Sequence, residues 1–254
     1  MDATVPIAVV SVFLVSVVFS MFGQGGGSLY TPILLLLGYT ASISVSTSLT
    51  LNLITALIAT FVYYRGGLVN GRLALAFIPG IVVGAFLGGA LGNFVDSRIL
   101  LWLLVAFLAV AGARMVSTYW ETGRPEDAGQ RSLTRNLVLI IVLFSFAVGV
   151  LSGMLGVGGG ILIVPFLIFV LKVPTKISAG VAAFVVVFSS LFGVLGRSAF
   201  GSLDATLVLL TAFAVAAGAL IGARLMIRAK TGLVKVGFGL IMWFFAAQIA
   251  WKLL

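Results

Sequence analysis

The sequence predicts an all-α polytopic membrane protein made of two inverted repeats of five segments each. Three observations lead there: composition, a Gly-rich motif that occurs twice, and the placement of the basic residues. Hydrophobic residues make up 62% of the chain and charged residues 8%. Soluble domains carry about 25% charged residues, so this chain cannot cover a water-facing surface. Mean hydropathy is +1.30. The apolar runs are long and lack strand-like alternation, which excludes a transmembrane barrel and leaves helices.

Ten apolar segments follow in order. The first half gives Val5–Phe22, Ser28–Leu37, Ser42–Tyr64, Leu73–Leu91 and Ile99–Tyr119. A polar linker, Glu121–Arg135, separates it from Asn136–Met154, Ile161–Leu171, Thr175–Leu195, Asp204–Arg224 and Thr231–Leu254. The expected division is a first transmembrane repeat at 1–120, a cytoplasmic linker at 121–135 and a second repeat at 136–254. Val5–Phe22 follows Asp2 with no basic stretch before it, so it is expected to be a retained segment and not a cleaved signal.

The second and seventh segments are short. A bilayer core of about 30 Å needs roughly 20 helical residues. Leu29–Leu37 reaches about 13 Å and Ile161–Leu171 about 16 Å at the helical rise. Each is expected to be a Gly/Pro-interrupted half-helix, drawn either as one arm of a re-entrant hairpin or as a broken spanning element. Each carries a proline in its first turns, where proline is tolerated.

Basic residues set the expected orientation. If the chain changes sides at every segment, one side receives Arg65, Arg72, Arg114, Arg124, Arg131, Arg135, Lys172, Lys176, Arg224, Arg228, Lys230 and Lys235. The other receives Arg98, Arg197 and Lys252. The positive-inside rule places the first group in the cytoplasm. Both termini then face outward and the linker faces inward. Five segments per half is an odd number, so the halves are inverted relative to each other. The net charge of +9 is therefore topological, and nucleic acid is not an expected partner.

The repeat itself is explicit. Gly23-Gln24-Gly25-Gly26-Gly27 precedes Pro32, and Gly156-Val157-Gly158-Gly159-Gly160 precedes Pro165, with an offset of 133 at each matched glycine and at the proline. Later marks, Gly67 with Gly201 and Gly84/Gly88 with Gly218/Gly222, are offset by 134. The one-residue slip is expected in the turn after the short segment, where an insertion costs little. Glycine tips let the backbone turn sharply and approach a ligand. They are expected at positive φ, with successive N–H groups forming an anion-binding concavity beside a helix N-terminus. Paired breaks at the membrane midplane are the pattern of a transporter site. Gly84-x3-Gly88 and Gly218-x3-Gly222 sit inside long segments and read as close helix packing.

Other candidates lie in a polar band from Ser42 to Thr55, where Ser44, Ser48, Asn52 and Thr55 fall near one helical face. The second half offers Ser178, Ser189 and Ser190. Gln24 and Asn52 stand out because an amide inside a membrane needs partners. Arg197 is basic on the expected outer side, where topology does not explain it. The expected substrate-binding set is Gly23, Gln24, Gly25, Gly26, Gly27, Ser48, Asn52, Gly156, Gly158, Gly159, Gly160, Ser178 and Arg197. The chain has no histidine and no cysteine, and its six acids sit at segment ends or in loops. An acid–base enzyme, a metal site and a resident cofactor are therefore not expected.

With two G-x-G-G-G-x4-P motifs opening matched halves, and with Ser152-Gly153-Met154-Leu155 before the second and Ile177-Ser178-Ala179-Gly180 after it, the chain resembles the sulfite exporter TauE/SafE family of membrane permeases. The resemblance implies transport of sulfur oxyanions or organosulfonates such as sulfite and sulfoacetate, outward across the cytoplasmic membrane. From the residues alone, the expectation is a secondary transporter of a small anion working by alternating access, with a passive anion pore as the alternative. The expected partners are the anion and the lipid bilayer, with a homodimer left open.

Overall fold

The computed structural model describes residues 4–92, 134–197, 205–229 and 231–253, together with Trp102, Val105, Ala109, Gly112, Ala113 and Val116. The fold is helical throughout these residues, with no strand among them. The helices are α1 (Thr4–Met21), α2 (Gly27–Leu36), α3 (Ala41–Arg65), α4 (Gly71–Leu91), α5 (Arg135–Leu155), α6 (Gly160–Pro165, continued by a π turn at Phe166–Val170), α7 (Thr175–Arg197), α8 (Ala205–Arg228) and α9 (Thr231–Leu253). Five of them, α3, α4, α5, α7 and α8, are long and apolar enough to cross a membrane. The expected segment Ile99–Tyr119 and most of the expected linker lie outside the described residues, although the six separate positions named above are helical.

Boundaries follow local chemistry. Thr40 caps α3 by accepting from the Ile43 N–H at 3.4 Å, and Asn70 caps α4 by accepting from the Leu73 N–H at 3.2 Å. α7 and α8 each run past their expected ends, to Arg197 and Arg228. An arginine does not stop a helix, because its long stem carries the charge away from the apolar face.

The two Gly-x3-Gly pairs do pack helices tightly. Gly84 and Gly88 of α4 lie against the Phe146 and Val150 carbonyls of α5, and Gly218 and Gly222 of α8 against the Phe13 and Val17 carbonyls of α1. A methyl at any of these would run into backbone, which cannot swing aside. α4 also packs on α7, α8 on α3, and α3 on α7. The helices α1 and α5, which lead into the glycine motifs, are thus each clamped by a helix from the other half of the chain.

The one-residue slip is not in the connecting turn. Both turns have four residues, 37–40 and 171–174, and Gly38 and Lys172, offset by 134, share positive φ values of 91° and 57°. The extra residue lies inside the second half-helix. α2 has 10 residues; α6 and its π turn have six and five. A π turn closes i→i+5 hydrogen bonds and so holds one more residue per turn. Here the Leu171 N–H reaches the Phe166 carbonyl at 3.3 Å. Phe166 anchors the turn by stacking on Phe144 at 3.9 Å and meeting Phe77 edge-on at 6.1 Å.

Candidate functional site

The two glycine motifs meet in the interior. Each breaks the chain between a long helix and a half-helix: Gly23–Gly26 between α1 and α2, Gly156–Gly159 between α5 and α6. Gly27 faces the Gly156 carbonyl and Val157, and Gly160 faces the Gln24 backbone. All the motif glycines are buried. Positive φ occurs at Gly23 (67°), Gly25 (80°), Gly156 (73°), Gly158 (79°) and Gly159 (73°). Gly26 differs from expectation: its φ is −172°, an extended value. What restricts Gly26 is space, since a side chain there would enter the Tyr30 ring.

Asn52 of α3 stands between the tips. Its Oδ1 accepts from the Gly26 N–H at 2.7 Å and the Gly27 N–H at 3.0 Å. Its Nδ2 donates to the Ser190 hydroxyl of α7 at 2.7 Å. The two donors on one side and the hydroxyl on the other fix which way the amide points. A Cβ at Gly25 would strike Oδ1 and one at Gly158 would strike Nδ2. These two matched glycines therefore need both their positive φ and their missing side chain, the second because the same amide lies against each.

Hydroxyls complete the contact. The Ser48 hydroxyl reaches the Gly27 carbonyl at 3.0 Å and the Gly156 carbonyl at 3.1 Å, touching both tips. Ser189 donates to the Gly158 carbonyl at 2.8 Å and pairs with Ser152 at 3.0 Å. Tyr30 and Thr55 pair through their hydroxyls at 3.1 Å. Some buried polar atoms have no hydrogen-bond partner among the described residues: both amide atoms of Gln24 and the hydroxyls of Thr31, Ser46 and Thr47.

Eleven of the thirteen expected site residues thus gather at the tips: the nine of the glycine motifs, Ser48 and Asn52. Ser178 does not bond to a tip; its hydroxyl returns to the Val173 carbonyl at 3.2 Å and helps start α7. Arg197 is buried at the far end of α7 beside Gly89 of α4 and Gly92, the residue that follows that helix. That is seven residues past Ser190, about 10 Å along the helix. Tyr30, Thr31, Ser152, Ser189 and Ser190 belong to the tip region but were not in the expected set. Ser189 and Ser190 were visible as a polar pair in an apolar helix. Tyr30 and Thr31 carried no signal apart from following the glycine run.

The family model described as "Sulfite exporter TauE/SafE" matches residues 8–249. The chain belongs to this family. It is a membrane transporter by that membership, and the family is a transporter class and not an enzyme class. It is 29% identical over 243 residues to a probable membrane transporter protein of Xylella fastidiosa (strain 9a5c), covering 94% of this chain and 92% of the relative. It is 25% identical over 241 residues to the probable membrane transporter protein YunE of Bacillus subtilis (strain 168), covering 86% of each. A third relative is the probable membrane transporter protein MJ0441 of Methanocaldococcus jannaschii, 29% identical over 197 residues, 75% of this chain and 71% of the relative. No solved structure matches the chain.

Proposed function

We propose that this family member is a secondary transporter that exports a small sulfur oxyanion or organosulfonate, such as sulfite or sulfoacetate, across the cytoplasmic membrane. The substrate sits at the paired glycine tips. The observation that carries this reading is Asn52 Oδ1 on two adjacent N–H groups, at 2.7 and 3.0 Å. Those donors already hold a carbonyl oxygen, and an oxyanion oxygen suits them better. A hydrogen bond to a charged group contributes about 1.5–3 kcal/mol. In the proposed cycle the anion takes the N–H pair and the freed amide turns its Nδ2 toward a second oxygen. The second tip adds to this: Val186 packs at Gly160 at the place matched, by an offset of 134, to Asn52. No carboxamide there occupies the second tip's N–H groups.

Alternating access follows from two inverted repeats of five segments that part at the tips. The matched helix pairs, α4 on α5 and α8 on α1, support the repeat. The bonds that must rearrange are Asn52–Ser190 and Ser48–Gly156, which join the two halves. In this reading the linker is inside and both termini outside, which the split of the basic residues supports. The test is flux in proteoliposomes. Sulfite or sulfoacetate uptake should saturate and be abolished by tip substitutions. Flux linear in concentration would identify a pore instead. A reporter in the 121–133 stretch that reads external would sink the orientation.

A further inference from the structure

We infer that the tip site selects a singly charged oxyanion that carries its own hydrogen-bond donor, and that Gln24 and Thr31 read that donor. The inference rests on the tips being the anion site. Gln24 is 2% exposed, yet neither its Nε2 nor its Oε1 has a hydrogen-bond partner among the described residues. Its Cα lies 2.5 Å from where a Cβ on Gly160 would be, so it stands at the contact between the tips. Thr31 is 9% exposed and its hydroxyl is also without a partner. That hydroxyl lies 2.9 Å from the Cβ position of Gly156, at the same contact.

A buried amide left open at both ends is unusual, because buried polar groups almost always find partners. The two ends also ask for different things. Nε2 needs an acceptor, which any oxyanion supplies. Oε1 needs a donor, which an oxyanion of bare oxygens lacks. A ligand with an O–H or N–H beside its anionic oxygens satisfies both ends at once, and the Thr31 hydroxyl can take either role. Charge points the same way. Among the described residues, the side chains nearest the tip glycines are neutral, and the buried charged residue, Arg197, lies toward the far end of α7. Hydrogen bonds alone offset one negative charge far more readily than two, because the desolvation cost of an ion rises steeply with its charge. The fitting class is therefore a protonated oxyanion, or a sulfonate with a neighbouring hydroxyl or ammonium group; of the two substrates named above it keeps sulfite, as its hydrogensulfite monoanion, and leaves out sulfoacetate, a dianion with no donor at neutral pH.

Two sulfonates of nearly equal size test this without altering the protein. Propane-1-sulfonate and 2-hydroxyethanesulfonate differ by a methyl in place of a hydroxyl. In competition against sulfite flux in proteoliposomes, the hydroxylated compound should inhibit about tenfold more strongly, a difference worth one hydrogen bond. Sulfate, a dianion, should not compete. Gln24→Leu should bring the two sulfonates to near equality, weakening the hydroxylated one and raising the half-saturating sulfite concentration with it. Equal inhibition by both sulfonates in the unaltered protein overturns the inference while leaving the tips as the anion site. Competition by sulfate as strong as by 2-hydroxyethanesulfonate overturns it as well. Sulfite flux that persists in Gly25→Val and Gly158→Val refutes the tip site itself.

Discussion

The two glycine tips are near copies in sequence and unequal partners in space. Gly25 and Gly158 match in φ and press on the same carboxamide from opposite sides. Their neighbours do not match. Gly26 is extended and has its N–H capped by Asn52, whereas Gly159 has a φ of 73°. The helix behind Gly27 is regular, while the helix behind Gly160 carries a π turn. One amide on α3 bonds to the first tip and lies against the second, and α7 answers with Ser189 and Ser190 instead of a second amide. The repeated motif gives two turns matched in sequence. One half carries the bridging amide and the other the Ser190 hydroxyl that receives it.

The largest effect should come from the pair that is alike. Gly25→Val and Gly158→Val should each abolish flux, because a β-branched residue is strained at positive φ and its methyls would displace Asn52. Normal flux per folded molecule in either variant would remove the tips from the mechanism.

Asn52→Leu should separate the tips. It leaves the Gly26 and Gly27 N–H groups without their acceptor, at about 1–3 kcal/mol for each orphaned buried group. Thermal stability should fall, and hydrogen exchange should rise at Gly26 and Gly27 more than at Gly159 and Gly160. Equal exchange at both tips would show that the amide does not favour the first.

The unlike pair sharpens the contrast. Gly26→Ala is opposed by the Tyr30 ring, and Gly159→Ala by its own backbone. Adding Tyr30→Ala should therefore recover part of the flux lost by Gly26→Ala. Trimming Val148, the side chain nearest Gly159, should not rescue Gly159→Ala. Rescue at both sites would mean that crowding alone, and not backbone geometry, sets the second tip.

Smaller again, and of a different kind, are the helix-packing glycines. Gly84→Ala and Gly218→Ala should lower stability by about 1–3 kcal/mol through overpacking, with flux per folded molecule retained. The smallest effect is expected at Arg197. Arg197→Gln should raise the half-saturating substrate concentration a few-fold and leave maximal flux intact. A fall in maximal flux instead would assign Arg197 to the joint between α7 and α4.

Much of this was legible in the chain. The glycine motifs, their prolines and the shortness of the segments behind them marked the tips, because few residues can turn a helix sharply inside a membrane. Asn52 and Ser48 were legible as polar groups on one face of an apolar helix. Tyr30 and Thr31 were not, since nothing in their type or spacing separates them from ordinary helix residues. Ser178 and Arg197 were marked by type; Ser178 sits beside Ala179, which packs on Gly23, but turns its hydroxyl back to Val173, and Arg197 lies toward the far end of α7.

Sequence by itself determined the helical membrane class and the two breaks. Those depend on composition and on local backbone chemistry, which need no knowledge of neighbours. Only the tertiary structure decided that one carboxamide lies against both breaks, that the extra residue sits in a π turn and not in a loop, and that Gly26 is held by a ring and not by its φ. These depend on which atoms from distant parts of the chain share a space, and a repeat pattern read along one dimension does not contain that distance.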